Sequence, residues 1–418
     1  MPDAIVVGAG VVGTTTALYL ARAGLEVTLI EAREEAGMET SFANGGLVTP
    51  STAVPWCSPA VPGQLFRWLG REDAPLLLRA SAIPGLGLWG LRFLANCRPR
   101  KYAESSIQLT RLARDSLTEL EGLLAQRTID YSLSHGGLLE LYRDDDGVAA
   151  RARYAGFLEG LGVRTVNLDA DACVALEPHL APIASSIRAG LHLPDDAWGD
   201  ARTFTLAAEA AARAHGVDFR FGTKVDRLLV SSGRMEGVET TAGRFDARTV
   251  VVCAGAPSRT LLKPLGIRLP VEPVKGYSIS LNRDELGFLP GRPIVDNTAH
   301  LGVTPLGDHL RVAGTVEFDG FNPTLREGRV RNLVAAFKSV FPKAPLPDKL
   351  NAWCGFRPMS ADGMPIVGRT KVAGLFVNTG HGALGWTLAC GTARLVTDTI
   401  LGRPGVEEAA FAPDRSFF

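Results

Sequence analysis

AIVVGAGVVGTTTALYLARAGLEVTLIE, residues 4–31, is the stretch on which the fold turns. Its first four residues are an uninterrupted apolar run of the length of a buried strand. Gly8, Gly10 and Gly13 follow in the spacing GxGxxG, and then the helical pattern TTTALYLARAG, which ends on Gly24, a residue suited to a helix C-terminus. A second strand, EVTLIE, ends on Glu31. Strand, glycines, helix, strand and acid in this order form the unit that binds an adenine dinucleotide. Gly8 permits the tight turn, Gly10 lets the backbone approach a pyrophosphate, and Gly13 lets helix and strand pack closely. The helix start, at Val11 and Val12, offers free N–H groups to phosphate. Glu31 is placed to accept from the hydroxyls of a ribose. The fingerprint alone does not choose between a flavin and a nicotinamide dinucleotide. It occurs once: VVVCAGA, 250–256, is a strand with a glycine-containing end and not a second copy, so one bound dinucleotide is the economical reading.

The chain around this unit has 418 residues, 46% of them apolar, enough for a sizeable core and two or three domains. Lysine plus arginine and aspartate plus glutamate both number 44, so the formal net charge is zero and no nucleic-acid partner is expected. Cys57, Cys97, Cys173, Cys253, Cys354 and Cys390 form no CxxC pair, and the histidines show no paired spacing, so no metal site is expected. Such cysteine usage points to a reducing compartment. The chain enters its first strand with no charged-then-apolar leader, and it has no uncharged apolar run of about 18 residues that would cross a membrane. PLLLRASAIPGLGLWGLRFLAN, 75–96, is apolar but broken by Arg79, Pro84 and glycines; it suits packing inside a domain or docking on a membrane surface.

TSFANGGLVTP, 40–50, is too polar and glycine-rich for the interior of an element, and exposes backbone donors at Gly45 and Gly46. Helices are expected over 107–126, 148–161, 203–215 and 327–341, and a strand-rich piece over 136–144. Short strands with hairpin glycines close on a strand at 249–253, so the cofactor sheet resumes near 200. From 271 the strands alternate with Gly and Asp turns, the mark of an antiparallel sheet. The expected fold is α/β with an α+β second domain. A Rossmann-like unit, discontinuous in sequence, comprises 1–85, 191–270 and 345–418; the second domain, 86–190 and 271–344, is built on a mixed, mostly antiparallel sheet.

GAGVVG with Glu31, SFANGGLVTP, PWCSPAVPG, VKGYSISL, WCGFRPMSADGMPIVGR and NTGHGALGWTLACG occur in an order that resembles the FAD-dependent D-amino-acid dehydrogenases of small-subunit type. These lie within the D-amino-acid oxidase, glycine oxidase and sarcosine oxidase superfamily, and the similarity spans nearly the whole chain. The resemblance implies FAD at the interface of a cofactor domain and a substrate domain. Its implied contacts are Gly8, Gly10, Val11, Val12, Gly13, Glu31, Ala32 and Arg33; Ser41, Asn44, Gly45, Gly46 and Leu47; Val225, Ala254 and Gly255; and Gly380, His381, Gly382, Leu384 and Gly385. It further implies oxidative deamination of a small amino-acid substrate, a D-amino acid, to a 2-oxo acid and ammonia, by hydride transfer from Cα to flavin N5. Electrons would pass to a quinone or respiratory-chain acceptor, from a cytoplasmic protein associated peripherally with the inner face of the cell membrane. Oxidases of the superfamily use oxygen instead and act on glycine, sarcosine or other secondary amines. A non-catalytic flavoprotein subunit and a nicotinamide-only dehydrogenase are the other classes weighed. Where the family carries a Tyr-Lys pair, DNTAH, 296–300, has Ala299 and His300, which points toward a bulkier or proline-like substrate. Asn44-Gly45-Gly46 stands where the family has Asn-Ala-Gly.

Three side chains are catalytic candidates. Family alignment puts Arg357, in GFRP at the end of an expected strand, at the carboxylate-binding position, and a planar two-pronged guanidinium suits a carboxylate. The alternative is a structural pair with an acid such as Asp362. Tyr277 would donate its hydroxyl to substrate or line the pocket, unless it is simply a core residue. His300 would face the pocket or the surface, and Lys275, nearby, would approach the flavin or hold a turn. In VNTGHGALGWTLACGTARLV, 377–396, the glycines keep the backbone close to a flat ring. A helix from about Leu384 would aim free N–H groups at the flavin edge where negative charge builds on reduction. His381 then reads as a spacer or second donor rather than as a base.

Overall fold

The computed structural model describes residues 1–68, 70–403, 405 and 408–417; position 418, the expected end of the cofactor unit, lies outside them. A six-stranded sheet runs in the order Asp218–Arg220, Val27–Ile30, Ala4–Val7, Thr249–Val252, Leu375–Thr379, Ile366–Arg369. All neighbours are parallel except the last pair. The central strands are buried on both faces, which explains their unbroken apolar runs. Val6, Leu29, Val251 and Phe376 face a layer of helices, Val11–Arg22, Ala201–Ala214 and Gly385–Ile400. Ile5, Val250, Val252 and Leu375 face the other way, onto an antiparallel three-stranded sheet made by Val225–Ser231, Arg234–Thr240 and Gly243–Asp246.

The larger sheet runs Asn351–Ser360, Val271–Asn282, His309–Phe318, Leu301–Leu306, Ile294–Asp296, Leu138–Tyr142, Ala189–Leu193, Val166–Leu168. Leu76–Leu78 adds to it by parallel pairing with Val316–Phe318. It is antiparallel except for that pair and the pairing of Ile294–Asp296 with Leu139–Leu141. One face buries Ile279, Leu301, Val303 and Val312 under Leu333 and Phe337 of the Glu327–Val340 helix. The opposite face carries the candidate site.

Three elements sit differently from the expected domain boundaries. Asn351–Ser360, inside the expected cofactor segment 345–418, pairs with Val271–Asn282 from Val271↔Ser360 to Ser280↔Asn351 and so belongs to the larger sheet. Leu76–Leu78, inside 1–85, joins the same sheet. The Pro99–Ala125 helix, inside 86–190, instead buries Leu109, Leu112, Leu120 and Leu123 in the core of the cofactor unit, packed on Gly385–Ile400. The cause is the same in each case. An alternating or amphipathic pattern states which face of an element is buried, not which sheet covers it. The helix also starts earlier than the expected 107, because Pro99 is acceptable in a first helical turn. Segment 75–96 becomes the strand Leu76–Leu78 and the helix Ile83–Asn96, kinked at Gly87.

Candidate functional site

The glycine turn has the geometry its spacing demands. Gly8 has φ +106°, and a Cβ there would lie 2.8 Å from the Cys253 carbonyl oxygen. A Cβ at Gly13 would lie 1.9 Å from the Gly8 carbonyl oxygen, so any side chain pushes helix from strand. Gly10 differs: its φ is −69°, and an added Cβ would meet only Ser41 Oγ at 3.6 Å. Packing among the described residues therefore places no demand for glycine at position 10. The Val11 N–H donates to Ser41 Oγ at 3.0 Å. The N–H groups of Val12 and Gly13 have no acceptor among the described residues, which leaves the helix end open to an anion. Glu31 accepts from the Ala9 N–H at 2.6 Å and the Arg33 N–H at 2.8 Å, closing the same turn from the far side. The Arg33 side chain itself pairs with Glu39 at 2.5 Å. Gly222 and Thr223 donate their N–H groups to the carbonyls of Arg33 and Glu31, just before the small sheet begins at Val225. Ala254 and Gly255 lie across the turn, the Ala254 Cα 3.1 Å from the Gly8 Cβ position.

A second group of backbone donors lies at the junction of the two sheets. Asn44 turns back on itself, its Oδ1 accepting the Gly46 N–H at 2.9 Å, so the donor expected to be open at Gly46 is occupied; Arg311 donates to the Asn44 carbonyl at 2.9 Å. Gly46, with φ +76°, packs on Leu306 and leads into the short strand Leu47–Val48. The strand Leu375–Thr379 ends in Gly380 and Gly382, both with positive φ, and the helix starts at Gly385 with Leu384 as its N-cap. The amides of Ala383, Gly385, Trp386 and Thr387 have no acceptor among the described residues. These open donors, with the glycine spacing, fit the edge of a flat anionic ring.

His381 is not part of that donor group. Its side chain is 2% exposed, with Nε2 3.1 Å from Oγ1 of Thr392, about two turns into the Gly385–Ile400 helix. Thr392 Oγ1 also lies 3.0 Å from the Leu388 carbonyl, to which it donates, so the imidazole donates to the hydroxyl. Burial pushes its pKa down to about 3. The expected second donor near the ring is thus a neutral side chain that pins the turn to the helix.

Between the larger sheet and the segment 56–94 lies a cavity of about 690 Å³. Arg357 opens into it from the middle of the Asn351–Ser360 strand rather than from a strand end, opposite Val274. Its guanidinium lies over the Trp56 ring, 5.3 Å from the centroid, and has no hydrogen bond or ion pair among the described residues. Gly276 makes room for it, since a Cβ there would sit 2.8 Å from Arg357 Nε. Burial pushes the Arg357 pKa down to about 10. Asp362, the alternative partner, is bound instead by Arg415 at 2.8 and 3.0 Å.

Tyr277 lies on a strand that lines the cavity, but its ring packs in the core with Ile279 and Leu333 and its hydroxyl donates to Glu317 at 2.5 Å. That corrects the expectation of a hydroxyl offered to substrate. Burial, then Glu317, push its pKa far up. Lys275 is fully buried and points the same way, to Glu317 at 3.2 Å, Asp319 at 3.3 Å and the carbonyls of Asn322 and Thr324. It therefore holds the 319–324 turn and does not approach the ring site. Burial works against the Glu317 carboxylate, yet Tyr277, Arg79 and Lys275 outweigh it and hold its pKa below the usual range. His300 sits at the cavity rim, edge-on to Trp68 at 5.5 Å, with φ +51°. Burial of its inner edge pushes its pKa below the ordinary histidine value.

The sequence reading missed the tryptophan wall, Trp56, Trp68 and Trp89, although Trp56 lies in the quoted PWCSPAVPG. It also missed Glu317, whose only local signal was a charge inside an apolar strand.

Residues 3–399 match the family described as FAD dependent oxidoreductase (DAO). A curated D-amino acid dehydrogenase of Cereibacter sphaeroides is 42% identical over 412 residues, covering 98% of this chain and 94% of its own length. One of Paramagnetospirillum magneticum is 42% identical over 402 residues, covering 96% and 95%. Among solved structures, L-proline dehydrogenase from P. horikoshii aligns with a TM-score of 0.77 at 19% identity, over 98% of this chain and 96% of that one. Glycine oxidase from Bacillus cereus aligns with a TM-score of 0.77 at 21% identity, over 100% of both. At these identities the solved structures speak to the fold alone, the discontinuous FAD-binding unit with its mixed-sheet second domain. With the glycine turn, the open helix ends and a match over nearly its whole length, the chain belongs to the FAD dependent oxidoreductase family, where it resembles the D-amino-acid dehydrogenases.

Proposed function

We propose that the protein holds FAD and oxidatively deaminates a D-amino acid to a 2-oxo acid and ammonia, passing the electrons to a quinone or another acceptor that is not oxygen. The observation that carries the reading is Arg357, a guanidinium with no hydrogen bond or ion pair among the described residues, in a largely apolar cavity that also reaches the open amides at the start of the Gly385–Ile400 helix. Such a cation calls for an anionic ligand, and the carboxylate of an amino acid matches its two-pronged donor set. The curated relatives named D-amino acid dehydrogenase, at 42% identity, support the substrate class.

FAD, when bound, accepts a hydride. The chain supplies the rest. Arg357 fixes the carboxylate and so the direction of the Cα–H bond. The amides of Ala383 and Gly385–Thr387 stabilise negative charge at the helix end. The apolar walls keep water from the reacting carbon. The Tyr277 hydroxyl is bound to Glu317, and Asp296 is bound to Arg143 at 2.7 Å, so neither is free to act as a base at Cα. The amine must therefore be neutral when hydride leaves, and His300 at the rim is placed to take its proton toward solvent. Anaerobic mixing of the flavin-loaded protein with D- and L-amino acids tests the reading by loss of the flavin absorbance. Bleaching by D-amino acids is expected. Bleaching by sarcosine or L-proline alone would favour the amine oxidase alternative, and peroxide formation in air in place of dye reduction would sink the proposed acceptor.

The same family reading extends to a membrane. On the Ile83–Asn96 helix, Leu88 is 54% and Leu91 64% exposed, with Ile83 at 49% and Leu94 at 47%. Arg98 and Arg100 are exposed just beyond its end. Apolar residues flanked by cations suit the interfacial layer of an anionic bilayer. No helix among the described residues is long and apolar enough to cross one. Co-sedimentation with vesicles containing anionic lipid is expected, weakened by Leu88→Asp with Leu91→Asp; protein that stays in the supernatant at low salt would refute the docking.

A further inference from the structure

The cavity is shared: Asn44, Gly45, Leu47 and Ala383 in its lining belong to the candidate ring site, and the rest of it is built asymmetrically. On one side the segment 61–94 contributes bulk: Leu65, Trp68, Leu86, Trp89 and Phe93. On the sheet side the lining residues are small, with Gly302 paired to Ala313 in one ladder and Gly314 paired to Tyr277 in the next. Two of the sheet glycines answer to packing. A Cβ at Gly314 would lie 2.9 Å from the His300 carbonyl oxygen, and one at Gly355 would lie 1.9 Å from the Trp353 ring. Gly302 answers to nothing of the kind. A Cβ there would meet only the Ala313 carbonyl at 3.7 Å, an ordinary contact, and Gly302 is not among the positive-φ glycines. Its neighbours Leu301 and Val303 point into the core under the Glu327–Val340 helix, so position 302 points the other way, to the cavity. Glycine in a strand interior weakens the strand, so a glycine that the fold does not require marks space left for something else.

The charges narrow what that something is. Asp296 is occupied by Arg143 and by the Ala299 N–H at 2.8 Å. His300 is turned against Trp68, and Arg357 is needed for the carboxylate. Among the described residues the lining therefore offers no free carboxylate to a cationic side chain and no second free cation to an anionic one. We propose that the cavity selects substrates with a large uncharged side chain, aromatic ones foremost, seated between the space at Gly302 and the wall made by Trp68 and Trp89. This rests on the D-amino-acid reading above and deepens it.

The test uses the flavin-loaded full chain and two readouts. One is kcat/KM, by dye reduction, for D-alanine, D-phenylalanine, D-tryptophan, D-lysine and D-glutamate. The other is the Kd of two unreactive carboxylates, propionate and 3-phenylpropionate, from the perturbed flavin spectrum. D-phenylalanine and D-tryptophan are expected to exceed D-alanine tenfold or more, D-lysine and D-glutamate to fall below it, and 3-phenylpropionate to bind at least tenfold tighter than propionate. Gly302→Leu fills the space, and Trp68→Ala removes wall at the rim, away from the core. Each is expected to lower the D-phenylalanine to D-alanine ratio tenfold, so the result does not hang on the folding of one variant. D-alanine as the best substrate, or a ratio unmoved in both variants, overturns the proposal and leaves the D-amino-acid reading standing. If no D-amino acid is oxidised while 3-phenylpropionate still binds tenfold tighter, the D-amino-acid reading falls and the selectivity of the cavity stands.

Discussion

Arg357→Met is expected to lower kcat/KM for a good substrate by roughly two to three orders of magnitude, with the ligand-free protein no less stable than the wild type. The two halves come from the same fact. Among the described residues the guanidinium has no hydrogen-bond or ion-pair partner, and it stands against Trp56 in a largely apolar cavity. Losing one partner of a buried, hydrogen-bonded charge pair costs about 2–5 kcal/mol of binding. The charge itself is a burden on the empty protein: burial lowers its pKa to about 10, below that of an exposed arginine. The unfolded chain therefore holds this proton more tightly than the folded one. The cost is fully present below pH 10 and is relieved as pH rises through the folded value. Methionine removes the charge and keeps much of the volume. An unchanged or higher Tm, with KM raised far more than kcat is lowered, would match the assigned role. A structural arginine would show the reverse, a fallen Tm with intact kcat/KM. Affinity for an unreactive carboxylate should likewise fade as pH rises through about 10 in the wild type.

What the sequence made legible here was local. The turn at Gly8–Gly13, its helix and Glu31 lie within one short unit, so spacing alone carries their geometry. Arg357 was singled out by its motif, and the structure places it in the cavity wall. Pairings that close over long sequence distances were not. Nothing near Tyr277 announces that Glu317 takes its hydroxyl, and nothing near Asp362 announces Arg415. The helix Pro99–Ala125 shows an amphipathic pattern that fits either domain, and only the docking surface on Gly385–Ile400 decides between them. Segment 75–96 posed a choice between core and membrane surface. Its helix is apolar nearly all round, and it answers both ways: Trp89 and Phe93 line the cavity while Leu88 and Leu91 face out. A one-dimensional pattern cannot separate two apolar faces with different partners. The question at His381 was settled by burial, a quantity that two flanking glycines leave open.

Gly10→Ala and Gly13→Val are expected to separate cofactor affinity from folding, and with the largest contrast in the molecule. At Gly13 the new Cβ would overlap the Gly8 carbonyl at 1.9 Å and crowd Cys253 Cβ at 3.1 Å. Neither is the far end of a flexible side chain, so the helix must leave the strand. Overpacking of this kind costs about 1–3 kcal/mol, and more when backbone has to move. Gly13→Val should therefore lose flavin and also melt well below the wild type, or fail to accumulate as folded protein. At Gly10 the backbone, φ −69° and ψ 173°, is open to any residue, and the added methyl meets only Ser41 Oγ at 3.6 Å. Replacing glycine where the conformation is compatible even stabilises slightly, by about 0.4–1 kcal/mol, through the unfolded chain. Gly10→Ala should thus fold with an apo Tm equal to or above that of the flavin-stripped wild type. The methyl would nonetheless stand between the helix end and a pyrophosphate, so the Kd for FAD should rise tenfold or more, read from flavin fluorescence on titration. Wild-type FAD affinity in Gly10→Ala would mean that the phosphates do not approach this turn. The open N–H groups of Val12 and Gly13 would then need another ligand, and the glycine motif would be a device of packing alone.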